Sequence, residues 1–190
     1  MIAAAQLRPG LRILDLATGT GDLAFLASSR GATVVGLDVT WRMLELAAAK
    51  RIGPAPAFVR GDMLALPFAD GTFDVITTGY GVRNVPVLGR ALDEVARVAR
   101  PDGQFLSLDF DRPANRALRT LYLAYLTVVG SLLGWLLHKD PDTYRYIPES
   151  IAQYPGSEAV AQMLRARGFA RTEVIPVLGG LLAIHRARRI

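Results

Sequence analysis

An apolar run passes without a spacer into a glycine turn and then into a helix. Arg12-Ile-Leu-Asp-Leu-Ala17 reads as a buried strand, Thr18-Gly-Thr-Gly21 as the turn, and a helical pattern opens at about Asp22. A strand that feeds straight into a helix must cross over before it can pair with the next strand, which implies a parallel sheet. The rest of the chain repeats the alternation. Ala32–Asp38 is a second strand, followed by a helical stretch from Trp41 to Lys50. Ala57–Arg60 is a third strand, Phe73–Thr78 a fourth and Gln104–Phe110 a fifth. Between the last two, Leu88 to Ala99 carries apolar residues at helical spacing, and Pro101-Asp-Gly103 turns the chain. Strands alternating with helices give an α/β sheet with helices on both faces, and such sheets bind ligands at the carboxyl ends of their strands.

The pattern changes after Pro113. Thr120 to Leu137 is 18 residues without a charge, at the short limit for crossing a bilayer. Thr120, Tyr122, Tyr125, Thr127, Gly130, Ser131 and Gly134 weaken a spanning reading, so a buried or lid helix over an apolar pocket is expected. Gly168–Ile175 and Gly180–His185 look like a closing pair of strands joined around Gly179-Gly180. A length of 190 residues suits one domain, 1–190, with 113–152 as a helical lid segment. Apolar residues at 51% and charged residues at 21% are globular composition. The absence of cysteine excludes a disulfide framework and thiolate chemistry and accords with a cytoplasmic location. Met1 to Gly10 shows no secretory signal pattern. Net charge is +5, with a basic ending His185-Arg-Ala-Arg-Arg189. No zinc spacing and no aromatic-basic interleaving accompany it, so neither a metal site nor nucleic acid is expected. The tail reads first as a solvated end and second as an attraction to membrane surfaces.

The chemistry concentrates in Leu14-Asp-Leu-Ala-Thr-Gly-Thr-Gly-Asp22. Gly19 and Gly21 let the backbone turn sharply and approach a ligand. Asp15, just before the turn, can help hold a cationic amino-acid ligand directly or through water. Asp38 closes the second strand, where a carboxylate can accept both hydroxyls of a ribose. Gly19-Thr-Gly-Asp-Leu-Ala24 also satisfies the dinucleotide fingerprint, with Asp38 near the distance expected for the ribose of NAD. Three features favour S-adenosylmethionine instead. Asp15 and Asp22 place negative charge where a pyrophosphate would want bare amides. Then Arg60-Gly-Asp62-Met63 offers an acid for an adenine amino group and a thioether for its ring. Asp62 alone could equally be a turn cap.

The later segments narrow the resemblance. Gly61-Asp-Met-Leu-Ala-Leu-Pro-Phe-Ala-Asp-Gly-Thr-Phe-Asp74 is followed by Gly81-Val-Arg-Asn-Val85, Arg100-Pro-Asp-Gly103 and Leu108-Asp-Phe-Asp-Arg-Pro113. Asp142-Thr-Tyr-Arg-Tyr-Ile-Pro-Glu-Ser-Ile151 and Gly179-Gly-Leu-Leu-Ala-Ile-His-Arg186 come last. Together they resemble the menaquinone/ubiquinone biosynthesis C-methyltransferase family, among the class I S-adenosylmethionine-dependent methyltransferases. The resemblance implies a Rossmann-like, seven-stranded, mostly parallel sheet with a helical lid insertion. It implies methyl transfer to a ring carbon of a reduced, polyprenylated quinol, with demethylmenaquinol favoured. Cofactor contacts would fall on Thr20, Asp38, Asp62, Met63 and Gly79, beside the loop residues Asp15, Thr18, Gly19 and Gly21. Members often carry a hydroxyl residue where Gly79 stands, which leaves only a backbone contact here. They also usually carry some tens of residues before the first strand, where this sequence begins that strand at Arg12. The implied partners are a lipid-soluble quinol, the membrane surface at the inner face of the cell membrane, and a second copy in a homodimer.

Methylating carbon requires the ring to supply electrons, so a group that removes or stabilises a quinol proton is expected. Tyr80, Arg83 and Asn84 follow the fourth strand and should face the transferring methyl. Arg83 can stabilise a phenolate or simply hold the loop in a salt bridge; it is a poor base. Asn84 can orient a quinol hydroxyl. Asp109, at the end of the fifth strand, is the carboxylate placed by topology to act as base. Tyr80 is expected to meet the substrate, and Tyr144, Arg145 and Tyr146 of the later segment to line the quinol pocket, with plain packing the alternative for the two tyrosines. His138 and His185 are expected to be structural. The adenosine half would look the same in a methyltransferase for another apolar molecule, or in a non-catalytic scaffold of a quinone-synthesis complex.

Overall fold

The computed structural model describes residues 5, 7–50, 53–113, 115–140, 142 and 144–190; the side chains of Leu118 and His138 lie outside the described residues. Seven strands form one sheet: β1 (Arg12–Leu16), β2 (Thr33–Asp38), β3 (Ala57–Arg60), β4 (Phe73–Gly79), β5 (Ala99–Phe110), β6 (Arg171–Val177) and β7 (Leu182–Arg188). Their order is β3-β2-β1-β4-β5-β7-β6. The first five run parallel, and β7 pairs antiparallel with both β5 and β6. The helices are α1 (Asp22–Ser28), α2 (Trp41–Ala49), α3 (Leu88–Val98), α4 (Arg116–His138), α5 (Tyr146–Gln153) and α6 (Ser157–Arg165).

Neighbouring strand residues serve opposite faces, as the two-residue period of a strand requires. Ile13, Val75 and Leu106 pack with Ala24 and Ala27 of α1 on one face. Leu14, Ile76 and Phe105 pack with Leu92 and Val95 of α3 and Leu164 of α6 on the other. Burial on both faces is why these strands read as nearly continuous apolar runs. Each fully buried Leu, Ile or Phe contributes about 1.5–3 kcal/mol.

Between β1 and β4 the connections diverge to opposite sides of the sheet, which opens a crevice at the carboxyl ends of these strands. Both strands end there in non-glycine residues with left-handed backbone, Ala17 (φ 50°) and Tyr80 (φ 59°). Such conformations cost on the order of 1–3 kcal/mol and cluster at functional sites.

Two expectations are corrected. The turn at Pro101-Asp-Gly103 lies inside a longer β5: Phe73 pairs with Ala99 and Val75 with Gln104, so the intervening residues bulge outward around Asp102 (φ 63°). The apolar helix begins at Arg116 and is not buried; only 11% of its apolar window is covered. Within 113–152 the structure has α4 and most of α5, but none of the segment's described residues lines the crevice.

Candidate functional site

The crevice at the β1–β4 switch is a cleft of about 290 Å³. It is lined by Ala17 after β1, Leu37 to Val39 at the tip of β2, Gly61 to Met63 after β3, and Gly79 to Gly81 after β4, with Asn84, Val85 and Pro86 along one wall. Gly81 is required by space: a Cβ there would stand 2.5 Å from Thr78 Oγ1 and 2.8 Å from the Ala17 Cβ. Gly61 is similar, its Cβ reaching within 2.8 Å of Leu37 Cδ1.

Asp38 is buried at the tip of β2 and ties the glycine turn to it. Oδ2 accepts from the Gly19 amide and Oδ1 from the Thr40 amide, each at 2.8 Å. Asp62 is exposed in the cleft; its Oδ1 accepts from the Leu64 amide at 2.9 Å, so it caps a turn while also lining the site. Met63, Gly79, Tyr80 and Asn84 complete the expected residues that converge here. Asn84 Nδ2 donates to the Tyr80 carbonyl at 3.0 Å, which leaves its Oδ1 as an acceptor.

Asp15 does not reach the cleft. It is 1% exposed and accepts from Thr18 Oγ1 at 2.6 Å and Thr77 Oγ1 at 2.7 Å. Burial pushes its carboxyl up to about 6, against the two threonine hydrogen bonds, with the nearby Asp38 charge raising it further. Direct contact between Asp15 and a ligand is thereby corrected to a role beneath the loop. Thr18, Gly19 and Gly21 shape the loop instead of lining the cleft: Thr18 O accepts from the Gly21 amide at 2.8 Å. Thr20 faces Lys50, whose Nζ also pairs with Asp22 at 2.6 Å.

Arg83 and Asp109 do not line the cleft either. Arg83 Nη1 meets Asp109 Oδ1 at 2.9 Å with both side chains nearly sealed from solvent. The Arg83 amide donates to Asp109 Oδ2 at 3.1 Å, and Arg83 Nε donates to Ser150 Oγ of α5 at 3.1 Å. Arg83 also stacks over Phe110, 4.9 Å from the ring centre. Burial raises the Asp109 carboxyl, opposed by the Arg83 charge and by two backbone amides. This pair braces the 3-10 turn Val82–Asn84, and the expectation of Asp109 as an accessible base is corrected: it has no open face toward the cleft. Tyr144 lies against Gly130 of α4, and Tyr146 is exposed on α5; neither joins the cleft lining. His185 is structural, held between Ser107 Oγ and the Ser157 carbonyl, with burial lowering its affinity for a proton.

The residues that sequence reasoning missed are Ala17, Leu37, Val39, Gly61, Gly81, Val85 and Pro86. Most flank residues already singled out, and Gly81 and Val85 bound the Gly-Val-Arg-Asn-Val segment. A larger groove of about 450 Å³ lies along Gln104, Arg171 and Arg188, at the amino end of the paired part of β5 and away from these strand tips.

The donor set decides which nucleoside ligand fits. Among the described residues, two carboxylates and no lysine or arginine line the cleft. Two loop amides that would cradle a pyrophosphate are already used, Gly19 by Asp38 and Gly21 by Thr18. A cationic ligand without phosphate suits this field, and a dinucleotide does not.

Comparison with known proteins agrees with that chemistry. The model of the ubiE/COQ5 methyltransferase family matches residues 1–189. A Thermus thermophilus protein named demethylmenaquinone methyltransferase is 42% identical over 92% of this chain and 80% of its own. One of that name from Beutenbergia cavernae is 39% identical over 96% of this chain and 75% of its own. The ubiquinone/menaquinone biosynthesis C-methyltransferase UbiE of Shewanella frigidimarina is 37% identical over 97% and 76%. Among solved structures, a SAM-dependent methyltransferase from Aquifex aeolicus shares the fold, with a TM-score of 0.70 at 19% identity over 100% of this chain and 87% of its own.

Proposed function

Because the chain belongs to the ubiE/COQ5 methyltransferase family, we propose that it methylates a ring carbon of a polyprenylated quinol from S-adenosylmethionine, with demethylmenaquinol as the substrate. The observation that carries the cofactor half is the acidic cleft, without a lysine or arginine among its described lining residues, in which Asp38, Asp62 and Met63 converge. When bound, S-adenosylmethionine supplies an electrophilic methyl group on a sulfonium centre. Asp38 would accept from the ribose hydroxyls while keeping its bonds to Gly19 and Thr40, since each carboxylate oxygen has a second lone pair. Asp62 would accept from the adenine amino group, with Met63 against the ring. Ala17 and the glycines Gly79 and Gly81 keep side chains out of the space between the strand tips.

The substrate end is Tyr80 and Asn84. Asn84 Oδ1 would accept from a quinol hydroxyl and hold the ring with the face of the reacting carbon toward the methyl, which is the positioning that a near-attack geometry requires. A quinol with one hydroxyl ionised pushes charge onto the neighbouring ring carbon, and the carboxylates of the cleft bias the site toward a cationic partner. With Asp109 committed to Arg83, the proton leaves through solvent at the mouth rather than onto a buried base.

The test is turnover with methyl-labelled S-adenosylmethionine and a reduced demethylated naphthoquinol, with a benzoquinol in parallel. Label on a ring carbon of the naphthoquinol supports the proposal. Label on oxygen, or none with either quinol, overturns it.

A further inference from the structure

Helix α4 presents to solvent an apolar face that no other element among the described residues covers. Leu121, Tyr125, Val128, Leu132, Trp135 and Leu136 recur at helical spacing and are each more than half exposed. The mean hydropathy of Arg119–Leu137 is 1.7. An uncovered apolar surface of this extent marks an interaction site. The question is its occupant.

Length and composition alone would allow α4 to cross a bilayer. The topology forbids it. β5 precedes α4 and β7 follows it, and these strands are hydrogen-bonded side by side, Asp109 opposite Ala183. A crossing at α4 would need a second crossing before β7, and no other described helix is long and apolar enough to make one. The inner side of α4 is also engaged: Tyr122 is 8% exposed, with its hydroxyl 3.4 Å from the Leu181 carbonyl, and a Cβ at Gly130 would stand 3.3 Å from the Tyr144 Cβ. A helix held to its domain along one side and apolar along the other, if it meets a bilayer, lies flat in its interface.

The ends name the interface. Arg112, Arg116 and Arg119 cluster at the amino end, and no carboxylate is in ion-pair contact with any of them among the described residues. At the other end the Lys139 ammonium sits 5.1 Å from the centre of the Trp135 ring. Cations and an indole bordering an uncharged run are the pattern of a helix whose edges meet lipid headgroups.

We propose that the outer face of α4 lies in the plane of an anionic lipid bilayer and seats the domain on the membrane, with the substrate end of the cleft toward the lipid. The buried face of α4 carries Tyr122 within electrostatic reach of Tyr80 and Arg83, and α5, packed on α4, holds Arg83 through Ser150. A prenyl tail can therefore remain in the bilayer while its ring enters at Tyr80 and Asn84. The docking surface stands on α4 alone; only the delivery of a quinol along it rests on the function proposed above.

The test is co-sedimentation of the full chain with phosphatidylcholine vesicles, with and without phosphatidylglycerol, at low and high salt. The parent is expected to pellet with the anionic vesicles and to be partly released by salt. A Val128→Asp/Leu132→Asp variant is expected to stay in the supernatant with its thermal melt and S-adenosylmethionine binding unchanged. In a Trp41→Phe background, Trp135 fluorescence is expected to be quenched most by lipids brominated near the headgroup. A parent that stays in solution overturns the proposal, as does a variant that pellets like the parent. Deepest quenching at the chain ends removes the in-plane placement. If lipid-free light scattering gives a dimer for the parent and a monomer for the variant, without vesicle binding by either, the face is a contact between copies instead. Vesicle binding without methylation of any quinol leaves the docking surface standing and sinks the function. Methylation of a short-tailed quinol without vesicle binding does the reverse.

Discussion

Arg83 and Asp109 face each other at 2.9 Å in a pocket that almost excludes water, and the backbone of one is bonded to the side chain of the other. The pair therefore fixes the turn that carries Asn84. Removing one partner leaves an uncompensated buried charge, which costs about 3–5 kcal/mol, whereas replacing both by apolar residues relieves that cost. Arg83→Met and Asp109→Leu should each destabilise strongly, and the double replacement should cost less than their sum. Urea unfolding of the four proteins measures it. Additive losses would show that the two side chains are not coupled.

Asp15 gives the chain an unusual response to pH. Its folded pKa of about 6 lies above the unfolded value of 3.8, so the native state binds more protons between those pH values. Stability from this group is thus full below about pH 4 and is lost as pH rises through 6, on the order of 3 kcal/mol. Asp22, Asp74 and Glu94, whose carboxyls are held low by cations or amides, act in the opposite direction, so the difference between two proteins is the clean readout. Asp15→Asn should gain stability relative to the parent between pH 4 and pH 7. A constant difference across that range would contradict the assignment.

Packing behind Gly81, against Thr78 and Ala17, is tight and includes an unsatisfied group. Thr78 Oγ1 is buried with no hydrogen-bond partner. Thr78→Val should therefore raise stability by about 1 kcal/mol, since an unmade buried hydrogen bond costs 1–3. Gly81→Ala should lower it by about 1–3 kcal/mol through overpacking and should weaken cofactor binding as well. Thermal melts with and without S-adenosylmethionine test both.

Asn84 is expected to act on turnover rather than on the cofactor. Asn84→Ala should leave the Kd for S-adenosylmethionine unchanged and lower kcat up to roughly 100-fold, the scale of a lost positioning contact. Parallel losses in affinity and kcat would instead mean that the wall of the cleft had collapsed.

The strands were legible because burial on both faces leaves long apolar runs, as at Thr33–Asp38 and Phe73–Gly79. Asp38, Asp62, Met63 and Asn84 were legible as site residues because their positions at strand tips follow from those runs. Asp15 and Asp109 also sit on the strands as expected, but sequence does not say which way a strand residue points when both faces are buried. Threonines 18 and 77 took up the first carboxylate and Arg83 the second. Helix α6 escaped notice because its buried apolar positions, Val160, Ala161 and Leu164, span little more than one turn. The exposure of α4 was hidden for a different reason: an apolar run looks the same whether protein or lipid is to cover it.

Asp38 makes the cleft selective for a positively charged nucleoside. Titration calorimetry of the parent and of Asp38→Ala with S-adenosylmethionine, and of the parent with NAD, tests it most directly. The parent should bind S-adenosylmethionine and not NAD. The variant should bind roughly 10- to 100-fold more weakly, as expected for lost hydrogen bonds to a charged acceptor. Tight NAD binding, or an unchanged affinity in Asp38→Ala, would contradict it.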